Sequence, residues 1–366
     1  MEKSLPSARS KRRGRSAALV RRFDPVYWHR FAVKPYEYSW DNRPGSRGSA
    51  VPNEDVAQRL DRMLGRHNHR LPDQVWIGTQ GDPYPPAERR KRLTRRLVEV
   101  LAKHGCPLLL ITRSALVLRD IDLIREVHET ASATIGIALF SLNPKLSRLL
   151  DPSTPSPRDR VTTLSRIARS GITTGIVVPC LIPGVNDQEA ELAKIFHVAV
   201  RYNLSFVLFP AYYSLKNRRI EPLENYPLEL NPHGIEAVYE READCLNNAQ
   251  RESGRTLLKL SEEHRVPIRI PRFLPNDFRR ENFWVAEMLA GIAHTRHLAG
   301  KPHRSFRTAA RHINDLGFDI RNLIRHNIPF EHNWITPSVK PYLDSLLNGR
   351  WAALESGEAW IATAAR

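Results

Sequence analysis

The groups in this chain that could do chemistry sit in four short polar segments, each following an apolar run. Gly78-Thr79-Gln80-Gly81-Asp82-Pro83-Tyr84-Pro85-Pro86-Ala87-Glu88 is the richest. Its glycines let backbone groups approach a ligand closely, and its prolines stiffen the loop around Asp82 and Tyr84. The same residues also suit a plain Pro-rich turn with capping roles. Ile111-Thr112-Arg113-Ser114 offers hydroxyls and a guanidinium, and Ser114 either caps the next helix or touches a ligand. Ser141-Leu142-Asn143-Pro144 offers another hydroxyl. Downstream of it, Arg160 either pairs with Asp151 or grips a ligand carboxylate. Pro179-Cys180-Leu181-Ile182-Pro183-Gly184-Val185-Asn186-Asp187 is a Pro-Gly turn in which Asn186 or Asp187 fits an N-cap.

Other chemistries lack their residues. Cys106, Cys180 and Cys245 are too widely spaced for a thiolate loop. His67-x-His69 and His294-x2-His297 are the only close pairs among 14 histidines, with no thiol or carboxylate partner nearby, and read as surface residues. Neither a Gly-x-Ser-x-Gly elbow nor a Gly-x4-Gly-Lys-[Ser/Thr] loop occurs.

The elements that must position these segments alternate in type. Val75–Gly78, Pro107–Thr112, Ala133–Phe140, Ile172–Val178 and Ser205–Phe209 are apolar runs of strand length. Between them, 88–104, 115–130, 157–170 and 186–202 carry amphipathic helical spacing. The pattern predicts an α/β fold with a parallel sheet covered by helices. Five units between 75 and 210 suit an incomplete barrel. All four polar segments then fall at strand exits, where such sheets bind ligands. Val56–Leu64 predicts a further helix with Asn53 as its N-cap. Three regions are expected: 1–50, a mobile basic arm and an irregular aromatic wrap whose only strand-like piece is Phe31–Lys34; 51–212, the partial barrel; and 213–366, mostly helical.

Composition narrows the setting. The 366 residues are 41% hydrophobic, with no uncharged apolar run of about 18 residues and no apolar stretch after the basic N-terminus. Sparse cysteines fit a reducing compartment, so the expected location is cytoplasmic with no membrane partner. A net charge of +17 fits either nucleic acid as a partner or a solvated surface that uses arginine freely. Oligomeric state is left open.

In order and spacing, residues 75–210 resemble radical S-adenosylmethionine (radical SAM) proteins of the spore-photoproduct-lyase-like branch. The family signature Gly-Thr-x-Thr-Asp-Pro-Tyr-Gln-Pro-x-Glu, followed by Arg-x-Leu-Thr-Arg, is matched here by Asp82-Pro83-Tyr84, Pro86, Glu88 and Arg92-Leu93-Thr94-Arg95. Gly81 and Pro85 stand where Thr and Gln are usual, and Arg113 stands where Lys is usual. The resemblance implies a partial (βα) radical-SAM-type barrel that binds S-adenosylmethionine. Its amine would lie near Thr79, Gly81, Asp82 and Tyr84, with Ser114 and Ser141 at the sheet edge. Arg160 would meet the cofactor carboxylate, and Asn186 the adenosine.

The resemblance also implies a 4Fe-4S cluster on a Cys-x3-Cys-x2-Cys loop. Residues 1–74 contain no cysteine, so the cluster ligands are absent, and the loop and first strand are expected to be missing. The resulting expectation is a degenerate relative of DNA photoproduct lyases that keeps the pocket for S-adenosylmethionine or a nucleotide-like ligand. Two alternatives stand beside it: an N-terminally truncated active iron–sulfur enzyme, and a nucleic-acid-binding protein that uses the barrel as a platform.

Overall fold

The computed structural model describes residues 19–24, 29–38, 50–66, 73–78, 81–150, 154–179, 181–182, 185–209, 242–326 and 333–356. Thr79, Asp151, Cys180, His67 and His69 lie outside them, as does most of the basic arm.

The main sheet comprises β1 (Leu19–Asp24), β2 (His29–Val33), β5 (Val75–Ile77), β6 (Leu108–Thr112), β7 (Ala133–Ala138), β8 (Thr173–Val177) and β9 (Phe206–Leu208), side by side in that order. From β2 to β9 every pairing is parallel, and β1 closes the edge antiparallel to β2. Neighbours in space thus follow chain order, as along one arc of a barrel, with β1 and β9 as open edges. The chain therefore forms the expected α/β partial barrel of parallel strands with a helical C-terminal region.

The first parallel strand is present, which corrects one expectation. His29–Val33 pairs with β5 in the register Phe31↔Val75 and Val33↔Ile77. A second hairpin, β3 (Tyr36–Tyr38) with β4 (Ala50–Pro52), follows directly. Phe31–Val33 of the strand-like piece read from the sequence falls within β2, whereas β1, β3 and β4 are short and have no long apolar run for periodicity to reveal.

Helices α1 (Val56–Arg66), α2 (Glu88–Lys91), α3 (Leu93–His104), α4 (Ile121–Thr130), α5 (Pro144–Leu150), α6 (Pro157–Ala168) and α7 (Glu189–Arg201) fill the connections. A 3-10 turn over Ala115–Asp120 leads into α4. Asn53 does not cap α1 through its side chain; its amide instead donates to the Lys34 carbonyl at 2.7 Å, tying β2 to the helix approach. The predicted helix over 88–104 breaks at Arg92, whose φ is +51°.

One face of the sheet packs on helices: Val75, Ile77, Leu108, Leu110, Ile135 and Ile176 meet Leu60, Leu97, Ile124, Leu164 and Phe196. The same core takes in Leu257 and Leu260 of α8 (Glu242–His264), so α8 covers the sheet beside α7. On the inner face, Leu109, Val177, Phe206 and Leu208 enclose Ile270. A separate core joins α9 (Arg279–Leu298), α10 (Arg304–Asn314) and α12 (Lys340–Ser356), with α11 (Arg321–Arg325) beside it. Asn314 Nδ2 donates to the Asp73 carboxylate at 3.0 Å, so the end of α10 docks where β5 begins. Among the described residues, no helix is long and apolar enough to cross a membrane.

Gly136 and Gly175 face each other in the β7–β8 ladder. A Cβ on Gly175 would lie 2.5 Å from the Phe206 carbonyl oxygen, and one on Gly136 would lie 2.6 Å from Val177. The inner face is therefore a filled layer at this level, with Val177 and Phe206 seated against bare backbone. Gly175→Ala is predicted to lower stability by about 1–3 kcal/mol, because the obstructing atom is backbone. Gly291→Ala in α9, where the added methyl meets nothing within 4 Å, should raise it by up to about 1 kcal/mol. Urea midpoints of the two variants test this, and equal midpoints would refute the packed-layer account.

Candidate functional site

At the C-terminal edge of the sheet, each strand exit is fastened to a neighbour. The Gly78 amide donates to the Val33 carbonyl at 3.0 Å, so the β5 exit begins against β2. Gly78 has φ +93°, and the place a Cβ would take is filled by the Pro83 ring at 2.6 Å; only glycine allows this turn. Asp82 then reaches sideways to β6. Its Oδ1 accepts from the Thr112 hydroxyl (2.6 Å) and the Tyr84 amide (2.8 Å), and its Oδ2 from the Arg113 amide (2.8 Å). On the other side, Asn186 Nδ2 donates to the Phe140 carbonyl (3.1 Å), while its Oδ1 accepts from the Ile182 amide (2.7 Å). One carboxylate joins the exits of β5 and β6, and one amide joins those of β7 and β8.

Beneath the β5 exit lies a buried charged network. Glu88 and Asp120 are both 0% exposed. Glu88 accepts from the Tyr36 hydroxyl (2.5 Å), the amides of Thr94 (3.1 Å) and Arg95 (3.3 Å), and Arg119 Nη2 (2.9 Å). Its carboxylate thereby caps α3, whose N-cap position, Arg92, offers no side-chain bond of its own. Asp120 accepts from Arg119 (2.7 and 2.8 Å), Arg95 (3.0 Å) and the Tyr84 hydroxyl (3.2 Å). The Thr94 hydroxyl donates to the Pro83 carbonyl and closes the loop onto α3. Burial, and then the Asp120 charge beside it, push the Tyr84 phenol well above its ordinary pKa. Arg119 is raised chiefly by its bond to Asp120.

The residues singled out from sequence fall into two groups. Gly81, Asp82, Ser114, Ser141 and Asn186 all lie at strand exits. Of these, Ser114 caps the 3-10 turn by accepting from the Leu116 amide at 3.2 Å. Ser141 accepts from the Asn143 amide at 3.0 Å and faces Glu191 at 3.4 Å. Tyr84 and Arg160 sit deeper, at 3% and 1% exposure. Arg160 donates to the carbonyls of Ala138 (2.8 Å) and Pro155 (3.0 Å) and to the Thr154 hydroxyl, clamping the end of β7 to the start of α6. Arg113 is 30% exposed at this edge and pairs with Asp82 at 3.4 Å. Sequence reasoning assigned no role to Thr94, Arg95, Arg119 or Asp120. The signal available was their position as polar residues within apolar helical faces.

Cys106 is buried just before β6, at the strand-start edge, and burial pushes its thiol up to about 12. Cys180 follows β8 in sequence, and Cys245 belongs to α8. Among the described residues, no group of three or more His, Cys, Asp or Glu could hold a metal ion.

No protein-family model matches the chain. It is 30% identical over 167 residues to an uncharacterized protein of Mycobacterium tuberculosis, covering 45% of this chain and 48% of that one. A second relative, an uncharacterized protein of Methanocaldococcus jannaschii, is 28% identical over 160 residues, covering 44% and 56%. The chain thus spans about half the length of the curated relatives it matches. Among solved structures, a spore photoproduct lyase mutant with bound AdoMet and dinucleoside spore photoproduct overlays at a TM-score of 0.46 and 14% identity, covering 66% of this chain and 76% of that one. SuiB of Streptococcus suis bound to S-adenosylmethionine overlays at 0.37 and 15% identity, covering 58% and 44%. With TM-scores below 0.5, these overlays leave the assignment to the chain's own topology and motifs.

Glu88→Gln leaves the Arg119 cation without one of its two buried counter-charges and is predicted to cost about 3–5 kcal/mol. A loss below about 1 kcal/mol in urea unfolding would show the network to be incidental. The raised Tyr84 phenol has a definite sign. An unfolded tyrosine ionises near pH 10 while the folded one resists, so stability is full below about pH 10 and falls as pH rises past it. Tyr84→Phe should flatten that decline. An unchanged slope of unfolding free energy between pH 9.5 and 11 (chosen about the tyrosine pKa) would count against it.

Proposed function

We propose that the strand-exit edge binds S-adenosylmethionine or a nucleotide-like ligand in a barrel of radical-SAM descent, related to DNA photoproduct lyases, without the family's iron–sulfur chemistry. The observation that carries this reading is the fastening of adjacent exits by Asp82 and Asn186 above a filled inner layer. A prearranged, backbone-rich edge at the carboxyl ends of parallel strands is where α/β sheets take such ligands.

The residues present fit the organic cofactor in a particular way. Asp82, Ser114, Ser141 and Asn186 spend polar atoms on neighbouring backbone, so their part is to hold the loops. Tyr84 and Arg160 brace those loops from below. Direct contact falls to the backbone of Gly81 and Asp82, to Arg113 for a carboxylate or phosphate, and to Leu181, Ile182, Val185 and Asn186 for the adenosine. Bound there, S-adenosylmethionine would supply a sulfonium and a ready leaving group.

The same residues do not fit a 4Fe-4S cluster. Among the three cysteines only Cys106 has a described side chain, and it lies buried just before β6, at the strand-start edge away from the exits. The Cys106 thiol is also held protonated, whereas a cluster ligand must be a thiolate. No reaction step is routed through a cluster. Sparse cysteines favour a reducing compartment, and the cytoplasm is the proposed location.

Calorimetric titration with S-adenosylmethionine tests the pocket. Saturable heat is expected with the native chain, and Asp82→Ala, which releases the β5 exit from β6, should weaken binding at least about tenfold, a loss of roughly 1.4 kcal/mol. No heat with the native chain refutes the reading. Anaerobic treatment with iron and sulfide should leave the visible spectrum flat, and stoichiometric cluster uptake would overturn the claim about the cysteines.

A further inference from the structure

The charge of this protein is not spread evenly, and one of its one-sided stretches lies away from the strand exits. Residues 288–314 carry Arg296, Lys301, Arg304, Arg307, Arg311 and four histidines, with no Asp or Glu. At the chain's average, 39 acidic residues in 366, a stretch of that length would carry about three. The segment is ordered: it runs from the last turns of α9 through α10, which share one core. Phe306, Ala309, Ala310 and Ile313 of α10 are buried in that core, which turns Arg304, Arg307 and Arg311 together to solvent on the opposite side. Some exposed lysines elsewhere pair with carboxylates, as in Lys91–Glu54, Lys103–Asp61 and Lys259–Glu189. The three α10 arginines and Lys301 have no such partner among the described residues. The crowding of positive charge registers locally, since burial, then His303 and Arg307, hold His297 below its usual range.

We propose that the exposed face of α10 is a docking surface for the phosphate backbone of duplex DNA, sequence-independent and separate from the strand-exit site. Three points select this partner. An unpaired row of arginines at i, i+3 and i+7 spans about 10 Å along a helix, enough to meet successive phosphates and release their counterions. A helix about 10–12 Å across matches the DNA major groove, which is about 12 Å wide, whereas the major groove of duplex RNA is too deep and narrow. An anionic membrane would call for apolar side chains beside the cations, and those of α10 are all buried. Because Asn314 ties the end of α10 to Asp73 at the start of β5, this surface sits toward the sheet end opposite the exits. It is independent of what the exits bind.

Fluorescence anisotropy of the full chain with a labelled duplex of about 20 base pairs tests the proposal across a salt series. Each lost phosphate contact lowers the log–log salt slope by about 0.9, so Arg304→Gln/Arg307→Gln/Arg311→Gln should reduce it by about 3 and weaken binding at least about tenfold at low salt. The corresponding triple lysine variant should bind nearly as the native chain does, and Asp82→Ala should bind as the native chain does. Glutamine is a good helix former at exposed positions, and circular dichroism checks the fold. Should the triple variant unfold, Arg307→Gln alone should still lower the slope by about 1. Absence of native binding, an unchanged slope in the variants, tighter binding to duplex RNA, or loss confined to phosphatidylserine vesicles would each overturn the assignment.

Discussion

A carboxylate with no access to water must be surrounded by donors, and Glu88 imposes that requirement on everything around the β5 exit. Its donors come from β3 (Tyr36), the first turn of α3 (Thr94 and Arg95) and the 3-10 turn (Arg119). Satisfying all of them fixes the second hairpin, the start of α3 and the turn before α4 relative to one residue. It also accounts for the helix break. Arg92 in the left-handed region costs about 1–2 kcal/mol. That cost is offset by two amide bonds to a negative charge at a helix N-terminus, where such bonds are strong. Asp120 extends the network through Arg119, Arg95 and Tyr84, so two buried anions are met by two half-buried cations in one connected unit.

The strand-exit edge inherits its order from this network. Pro83 is held from below by Thr94 and from above by the Gly78 turn, which leaves Asp82 one way to point: across to Thr112 and Arg113. Asn186 performs the matching task between β8 and β7 without a charge. The polar side chains at the exits thus shape the edge by holding backbone. An edge built this way is arranged by the fold itself, and prearrangement is what lowers the entropy cost of binding in general.

Much of this was legible in the sequence. The apolar runs at 108–112, 133–138 and 173–177 are flanked by helical periodicity, and uniform burial on both sides of a parallel sheet leaves that mark. The edge was less legible. β1 and β2 are short and carry arginine, so neither leaves a long apolar run, and β1 has a partner on one side alone. The break at Arg92 was invisible, since its cause is a residue that is local in sequence but whose partners, Tyr36 and Arg119, are 52 and 31 positions away. The same limit applies to Tyr84 and Arg160. Residue type marked them as able to meet a ligand, and only tertiary placement shows that their polar atoms are turned toward Asp120 and the end of β7.

The two halves of the chain are joined more closely than the change in composition at about residue 212 suggests. Leu257 and Leu260 of α8 belong to the core of the sheet, and the stretch after α8 sends Ile270 onto its inner face. Arg269 then pairs with Glu287 of α9 at 2.8 Å, and Asn314 of α10 meets Asp73. The helical layer is therefore fastened where β5 begins, and the β5 exit loop starts at Gly78, only five positions later. Short, fully buried strands transmit position stiffly because a packed interior compresses little. β5 thus holds the basic face of α10 and the strand-exit edge at a fixed separation, which lets one rigid body present two chemically different surfaces.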